Sequence, residues 1–247
     1  MFIIFTVIQW YLSLFCQTFF HHRYSAHRMF RMSKFWEKVF FIFSFITQGS
    51  SYLSPSSYGI LHRMHHAYTD TDKDPHSPTF DRIIFTMMWR TRNVYAAIGN
   101  NRMEIEPRFT KELPRWKWFD KFAETWWIRT IWITGYVGIY YALDTPWWGY
   151  FLLPVNIFTG PLHGAIINWF AHKIGYVNIK QKNTSKNLMV PDVLMLGEGF
   201  HNNHHKYPSN PNFGLRWYEI DPVYPEIKLF SWLGIVQLRK RISFART

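Results

Sequence analysis

Histidines recur in four short groups that are spread over the whole length of this chain. The second group, His62-Arg63-Met64-His65-His66, and the last, His201-Asn202-Asn203-His204-His205, have the same spacing. On a helix, histidines at i, i+3 and i+4 share one face, so the three imidazoles of each group can converge on one point. Residues 22–27 and 168–172 contain the other two groups, and the four together hold nine of the twelve histidines. Imidazole is a common ligand of iron, copper and zinc, and nine imidazoles are too many for one ion but suit two.

The first twenty residues form an apolar run that is long enough to cross a bilayer. A helix of about 20 residues spans the hydrocarbon core, and residues 1–20 contain no charged side chain. Basic residues follow from Arg23 to Lys34, which marks this end of the segment as cytoplasmic. The run has no basic start and no small-residue cleavage site, so we do not expect a cleaved signal peptide. A helix buried in a protein core is the alternative interpretation of this segment.

Two later segments, 126–143 and 148–170, are also predicted to span the membrane. The loop between them contains no Lys or Arg, so we expect it on the side away from the cytoplasm. Gly160 and Pro161 predict a kink in the returning segment. The apolar run near 36–53 is too short to span and has a histidine group on each side, so it is predicted to be an interfacial or re-entrant helix. With this topology every histidine group emerges on the cytoplasmic face.

These segments predict an all-α integral membrane protein that forms a single domain over residues 1–247, with three or four transmembrane helices. Residues 62–125 and 173–247 are predicted to form a cytosolic helical cap that holds a histidine-rich site for two metal ions. The net charge is +12, and its basic residues flank the apolar segments instead of forming a separate stripe, so we expect a membrane surface and no nucleic acid. The basic residues of the tail are Lys228, Arg239, Lys240, Arg241 and Arg246.

The residue types available as metal ligands limit the classes of reaction that the site could carry out. The sequence has no His-Glu-x-x-His string of a zinc peptidase, and its single cysteine cannot build a thiolate zinc site. A mononuclear iron oxygenase would need two histidines and a carboxylate, which leaves most of the nine histidines unexplained. Two irons can use O2 to take hydrogen atoms from an unactivated alkyl chain, which no acidic or basic side chain can do. At the cytoplasmic boundary of a membrane protein, this chemistry points to a lipid-tail substrate.

The motifs and their order resemble those of the integral-membrane fatty acyl desaturases, in the branch that includes the stearoyl-CoA and bacterial acyl desaturases. The matching pieces are His-Arg-x-x-x-His at residues 22–27, His-x-x-His-His at 62–66, Asp-Pro-His at 74–76, Asn-x-x-x-His at 168–172 and Gly-Glu-Gly-Phe-His-Asn-Asn-His-His at 197–205. The resemblance runs from about residue 10 to residue 235. One such motif is weak alone, but four in this order are highly specific.

The resemblance implies a di-iron site that cycles between Fe2+ and Fe3+, with O2 as co-substrate. The implied ligands are His22, His27, His62, His65, His66, His172, His201, His204 and His205, with Asn168 acting through a bound water molecule. Which iron each residue holds stays open. Three acids are candidates for orienting ligand imidazoles, with ordinary turn or surface roles as the alternative: Asp70, Asp74 and Glu198.

Three histidines are left over. We expect His21 at the membrane interface, His76 as a hydrogen-bonding neighbour within a turn, and His163 as a polar contact between helices.

The predicted function is therefore O2-dependent desaturation of a saturated fatty acyl chain, which the resemblance places at Δ9. The acyl carrier stays open between CoA, a carrier protein and an intact lipid. The sequence shows no fused electron carrier, so the expected partners are a ferredoxin or a cytochrome b5-type protein and its reductase. Relatives usually have one more spanning helix ahead of the first histidine group, and without it the topology puts residue 1 outside the cytoplasm. Two alternatives remain: a membrane hydroxylase or ketolase with the same site, and a non-catalytic membrane metal-binding protein.

Overall fold

The first helix carries the first histidine group. In the computed structural model, which describes residues 1–239, α1 runs from Phe2 to Cys16 and continues as a π-helix over Gln17–Ala26. A π-helix bonds each N–H to the carbonyl five residues earlier, and the N–H of His27 still donates to the carbonyl of His22 at 3.1 Å. The helix therefore extends beyond the predicted 1–20, because the buried polar side chains of its last turns find partners inside the protein.

The candidate spans differ in how well their lengths suit a bilayer. Among the described residues, Phe2–Ala26 is long and apolar enough to cross, and Trp147–Ile157 with Thr159–Phe170 makes a second if this pair is one span bent by 70°. The kink predicted from Gly160 and Pro161 is confirmed, and the break lies at Phe158, two residues before the glycine. The helix α6, Trp126–Ala142, has 17 residues and covers about 26 Å, slightly less than a hydrocarbon core of ~30 Å. A topology of three or four spans stays a prediction.

An aromatic core holds the π-helical end of α1 in place. The helix α2, Lys34–Gln48, begins at Ser33, whose hydroxyl accepts the N–H of Trp36 at 3.3 Å, and is followed by a 3-10 turn at Gly49–Ser51. It packs against α1 through rings that belong to one buried cluster, which includes Phe19, Phe20, Tyr24, Phe30, Phe40 and Phe41. A helix is present where the sequence predicts one near 36–53, and its position at the membrane interface stays a prediction.

A short sheet corrects the all-α prediction. The strand β1, Phe30–Met32, pairs antiparallel with β2, Val236–Leu238, and Phe30 lies opposite Leu238. The carboxyl-terminal segment returns to the end of α1, where Phe30 and Val236 are both buried. Three-residue strands are too short to show a period of two in the sequence, which is why they could not be foreseen.

The predicted cap is helical in only part of its length. Helices α3, α4, α5, α9 and α10 span Pro55–Tyr68, Ile84–Gly99, Lys117–Ala123, His201–Lys206 and Val223–Trp232, with a 3-10 turn at Pro107–Phe109. The bent candidate span consists of four helical segments. They are a 3-10 segment at Trp147–Leu152, α7 (Leu153–Ile157), α8 (Thr159–Ala165) and a second π-helix at Ile166–Phe170. Residues 240–247, with Lys240, Arg241 and Arg246 of the basic tail, lie outside the described residues.

Residues 173–200 contain no helix, which corrects the prediction of a helical cap for this stretch. Hydrogen bonds with side-chain amides hold this irregular stretch in place instead. The Asn202 amide oxygen accepts the N–H groups of Asn178 and Ile179 at 3.1 and 3.0 Å, and its NH2 group donates to the carbonyls of Ile179 and Ser185. Asn187 Oδ1 in turn accepts the N–H of Asn202 at 3.0 Å. Local side-chain bonds of this kind replace a helical ladder.

We predict that Gly49→Ala destabilises the protein. Gly49 has φ +51°, and a Cβ there would lie 1.8 Å from the hydroxyl oxygen of Tyr136. The strained backbone and the clash together should cost about 2 kcal/mol or more, which lowers the melting temperature by several degrees in detergent fluorimetry. The matched control is Gly138→Ala in α6, where a Cβ meets nothing within 4 Å. An unchanged melting temperature for Gly49→Ala would contradict the argument.

Candidate metal centre

The nine grouped histidines meet inside the protein and divide into two adjacent clusters. Within each cluster, one ring nitrogen from every histidine lies within 4.8 Å of all the others. The larger cluster contains His22, His27, His62, His66 and His204, and the smaller one contains His65, His172, His201 and His205. We call them the five-histidine and the four-histidine cluster.

Two helices each supply histidines to both clusters. On α3, His62 and His66 are one turn apart and reach the five-histidine cluster, while His65 reaches the other. On α9, His201 and His205 share the four-histidine cluster, and His204 belongs to the larger one. The expectation that each His-x-x-His-His group converges on a single point is therefore wrong, because positions i+3 and i+4 lie on opposite sides of position i around the helix axis. Shared helices fix the two clusters next to each other.

Ring nitrogens in the five-histidine cluster face each other too closely to be satisfied by protons alone. The Nε2 atom of His204 lies 2.9 Å from that of His22 and 2.9 Å from that of His66. The Nδ1 atom of His22 lies 2.5 Å from a Glu198 carboxylate oxygen, so the His22 proton sits on Nδ1 and its Nε2 presents a lone pair. A proton on His204 Nε2 could serve only one of its two neighbours. A cation between the lone pairs would serve all of them.

The four-histidine cluster repeats this arrangement. His201 Nε2 lies 3.0 Å from His172 Nε2 and 2.9 Å from His205 Nε2, and His205 lies 3.2 Å from His65 through the same atoms. The Nδ1 atom of His201, like that of His204, is buried without a hydrogen-bond partner among the described residues. Convergent neutral imidazoles are the donor set of a transition metal such as iron, copper or zinc. The residues present therefore fit one metal ion in each cluster.

Electrostatics favour the neutral form, which is the form that binds metal, at seven of the nine imidazoles. Burial, followed by repulsion from neighbouring imidazoles, lowers the pKa of His172 to about 4. The same two causes lower the pKa well below its ordinary value at His27, His62, His66, His201, His204 and His205.

A carboxylate fixes the ring of His65. The Asp74 oxygens lie 2.9 and 3.0 Å from His65 Nδ1, and Asp74 also accepts the backbone N–H groups of Asp70 and His76. Burial would raise the pKa of Asp74, but the His65 ring outweighs it and holds that pKa well below the ordinary range. An ionised Asp74 therefore keeps the His65 proton on Nδ1 and leaves Nε2 free to bind a metal.

A threonine that the sequence analysis missed stands behind His172. The Thr184 hydroxyl lies 3.0 Å from His172 Nδ1 and donates to Asp70 at 2.9 Å. Asp70 is 3.8 Å from the imidazole, so it acts on His172 through Thr184 and not by direct contact. No motif surrounds Thr184, and only the path of the irregular chain brings it to the site.

Glu198 is the third acid, and it contacts a ligand directly. Besides accepting from His22, it accepts the hydroxyl proton of Thr18 and is buried. Burial would raise the pKa of Glu198, but the neighbouring His22 and Arg23 outweigh it, so the net shift is downward. The structure thus brings all three candidate acids to ligand histidines, two directly and one through a hydroxyl.

The other candidate residues lie close by. Asn168 is part of the π-helix Ile166–Phe170, about one turn before His172, and its action through water stays a prediction. The ring of His21 is buried inside the protein, and its Nε2 lies 2.9 Å from the Leu53 carbonyl. Its depth at the membrane interface stays a prediction.

The two remaining histidines are buried beside rings. The ring of His76 packs at a tilt against that of His65, with centroids 4.2 Å apart, and its backbone N–H, not its ring, makes the hydrogen bond in the turn. His163 packs edge-on against Trp10 at 4.3 Å, which is a contact between helices, but neither of its ring nitrogens has a hydrogen-bond partner among the described residues, so the contact is not the polar one that the sequence predicts.

Comparison with known proteins assigns the chain. The family model for fatty acid desaturase matches residues 1–231. The chain belongs to the fatty acid desaturase family. This desaturase is 31% identical over 228 residues to the Delta-9 desaturase-like 5 protein of Arabidopsis thaliana, which covers 88% of this chain and 70% of the relative. It is 32% identical over 227 residues to the sn-1 stearoyl-lipid 9-desaturase of Synechocystis sp., and the match covers 87% of this chain and 64% of the relative. Identity to the Delta-9 acyl-lipid desaturase 1 of Arabidopsis thaliana is 29% over 219 residues, and the match covers 87% of this chain and 67% of the relative.

We predict that Thr184→Val weakens metal binding in the four-histidine cluster only. Without the hydroxyl, His172 Nδ1 loses its partner and the ring loses its orientation, so affinity for one of two metal ions should fall about 10- to 100-fold. Metal per chain is measured by mass spectrometry after dialysis against graded chelator. The control, Thr110→Val, removes a hydroxyl that bonds only the Pro107 carbonyl. Two equally tight ions in Thr184→Val would contradict the role of Thr184.

We predict that the metal-free protein loses stability as the pH falls below about 6.5. The unfolded state takes up protons on its histidines at that pH, whereas His172 in the folded state stays neutral until about 4. Each such histidine should therefore lower the free energy of unfolding by up to about 1.4 kcal/mol per pH unit within this window. Melting temperatures of chelator-treated protein from pH 7.5 to 4.5 test this. His172→Asn should show a shallower dependence, and an equal slope would contradict the assignment.

Proposed function

We propose that this chain desaturates a saturated fatty acyl chain in an O2-dependent reaction, with one iron in each histidine cluster. The observation that carries the proposal is the pair of adjacent all-histidine clusters in a member of the fatty acid desaturase family. When bound, the iron pair would supply the oxidising power that removes two hydrogen atoms from the acyl chain. The balance is one O2, two electrons and two protons consumed, with a carbon–carbon double bond and two waters formed.

The protein's own part is to hold nine ring nitrogens in place. Asp74 and Glu198 keep the protons of His65 and His22 on Nδ1, so that Nε2 of each ring can bind. Asn168 would complete the four-histidine cluster through a water molecule. Because each cluster is buried, bulk water is kept from the reacting atoms, which protects the oxidant from side reactions.

The relatives favour a particular substrate class. The names of two of them refer to an acyl-lipid or a stearoyl-lipid and to position 9. We therefore propose a lipid-linked saturated acyl chain as substrate and Δ9 as the position, in preference to an acyl-CoA or a carrier-protein thioester. The chain spans 64% to 70% of the length of the first two relatives.

We also propose that the site faces the cytoplasm from an integral membrane protein. Exposed tryptophans support α6 as a span, because they lie near both of its ends as in an interfacial belt: Trp126, Trp127, Trp147 and Trp148. Basic residues follow α1 and the bent span α7–α8 at the histidine end, which agrees with a cytoplasmic location. Electrons would come from a separate ferredoxin or cytochrome b5-type protein with its reductase.

We predict that His204→Ala with His205→Ala abolishes the product, because the pair removes one ligand from each cluster. The chain is expressed together with a ferredoxin, a cytochrome b5 and their reductases, and fatty acids are analysed by gas chromatography and mass spectrometry. We expect a new monoene with the wild type and with the control Lys206→Ala, whose side chain is exposed beside the ligands. A hydroxy or keto acid would show a hydroxylase or ketolase instead. Tight metal binding without any new product would show a metal-binding protein.

A further inference from the structure

Arg23 is a buried cation that the proposed reaction leaves without a role. It lies in the π-helical end of α1, next to His22, and its side chain is 0% exposed. A buried guanidinium costs free energy unless all of its donors are paired. Arg23 Nη2 donates to Asp221 at 2.7 Å, and its Nε donates to the Pro211 carbonyl at 3.2 Å. Its guanidinium carbon lies 3.9 Å from the ring centroid of Phe213.

The third donor of Arg23 leads toward the five-histidine cluster. Arg23 Nη1 donates to the hydroxyl of Thr18, which donates to Glu198, and the other Glu198 oxygen accepts from His22. Arg23 Nη1 is also 3.6 Å from Glu198 itself. The π-helix makes this possible, because its i to i+5 bonding stacks Arg23 over Thr18 while His22 lies beside it. Asp221, Arg23, Thr18, Glu198 and His22 thus form one buried chain of hydrogen bonds.

The far end of this chain is tied to the carboxyl-terminal segment. Asp221 accepts the backbone N–H groups of Phe213 and Val223 at 2.8 and 3.1 Å. Gly197, the residue before Glu198, has φ +90°, and a Cβ on it would lie 2.5 Å from an Asp221 oxygen. The backbone that carries Glu198 is therefore packed directly on the ion pair.

The four-histidine cluster has no counterpart among the described residues. The carboxylate behind His65, Asp74, is satisfied by the N–H groups of Asp70 and His76. His172 depends on the Thr184 hydroxyl. Among the described residues, a buried guanidinium that orients the acid behind a ligand histidine is thus found only at the five-histidine cluster.

We propose that Arg23 is a positioning residue. Its ion pair with Asp221 forms a latch that, through Thr18, holds the Glu198 carboxylate in the position where it accepts from His22, and so sets the affinity of the five-histidine cluster for its metal. The inference rests on the proposed metal centre and deepens it. Without the guanidinium, Thr18 and Glu198 lose the donor that fixes their positions, and His22 would lose the partner that orients its ring.

Arg23→Lys tests the latch while keeping the charge opposite Asp221. An ammonium group is a single point and cannot reach Asp221 and Thr18 together as the planar fork of arginine does. We expect a folded protein whose five-histidine cluster binds its metal about 10-fold more weakly, with the four-histidine cluster unchanged. Iron per chain after graded chelator and the Mössbauer spectrum of 57Fe-loaded protein give this readout, in which one of two iron signals is lost first. Two signals lost together, or neither, would overturn the proposal.

Arg23→Met with Asp221→Leu separates positioning from folding. Replacing both partners by apolar residues leaves neither member of the Arg23–Asp221 ion pair buried without the other, a change that often preserves the fold. A purely structural ion pair would then leave both metal sites intact, whereas a latch leaves Glu198 without its cation and weakens only the five-histidine cluster, up to about 100-fold. The control is Lys34→Met with Glu37→Leu, an ion pair of 2.7 Å that contacts no cluster histidine. Retention of two tight ions in the Arg23–Asp221 double variant would overturn the latch.

These outcomes differ from a failure of the proposed function. A wild-type protein that binds no pair of ions and forms no monoene would contradict the metal centre itself. A wild type with two ions and a monoene, together with an unaffected Arg23→Lys, would contradict only the latch.

Discussion

Facing lone pairs of buried imidazoles are the interaction on which the rest of this structure depends. At His204, one Nε2 lies 2.9 Å from two other ring nitrogens, so a proton can relieve only one of the two lone-pair contacts, whereas a cation between the rings would relieve both. Burial strengthens both the repulsion of an empty cluster and the attraction of a filled one, because the interior screens charge poorly. The acids and the threonine behind the rings serve the same end, since each fixes a proton on Nδ1 and leaves Nε2 for the metal.

The two clusters depend on each other because they share helices. One turn of α3 and one turn of α9 each divide their histidines between the clusters. The rings of His66 and His205, which belong to different clusters, stack with centroids 4.4 Å apart. A shift of either helix would therefore disturb both sites at once. This geometry suits a reaction that removes two hydrogen atoms with a pair of irons, as we propose for this member of the desaturase family.

The surrounding protein stabilises the two clusters by different means. Around the five-histidine cluster, the aromatic core under the π-helix and the Arg23–Asp221 ion pair hold α1 against the carboxyl-terminal segment. Around the four-histidine cluster, backbone N–H groups and hydroxyls hold the groups that orient the ligand rings. The side chains of Asn187 and Asn202 hold the irregular stretch that carries Thr184. Both π-helical segments, Gln17–Ala26 and Ile166–Phe170, lie where a spanning candidate meets the site.

The sequence by itself determined the family, the grouping of nine histidines, the apolar length of the first helix and the kink near Gly160, because motifs and apolar periodicity are local properties of the chain. The division into five and four histidines came only from the tertiary structure, since helical spacing fixes the face of a ring but not the partner it meets across the protein. The same holds for Thr184 and Asp221, which reach the site from 12 residues beyond His172 and from 198 residues beyond Arg23. The irregular path of residues 173–200 and the pairing of β1 with β2 also depend on such long-range contacts, which leave no periodic signal in the sequence.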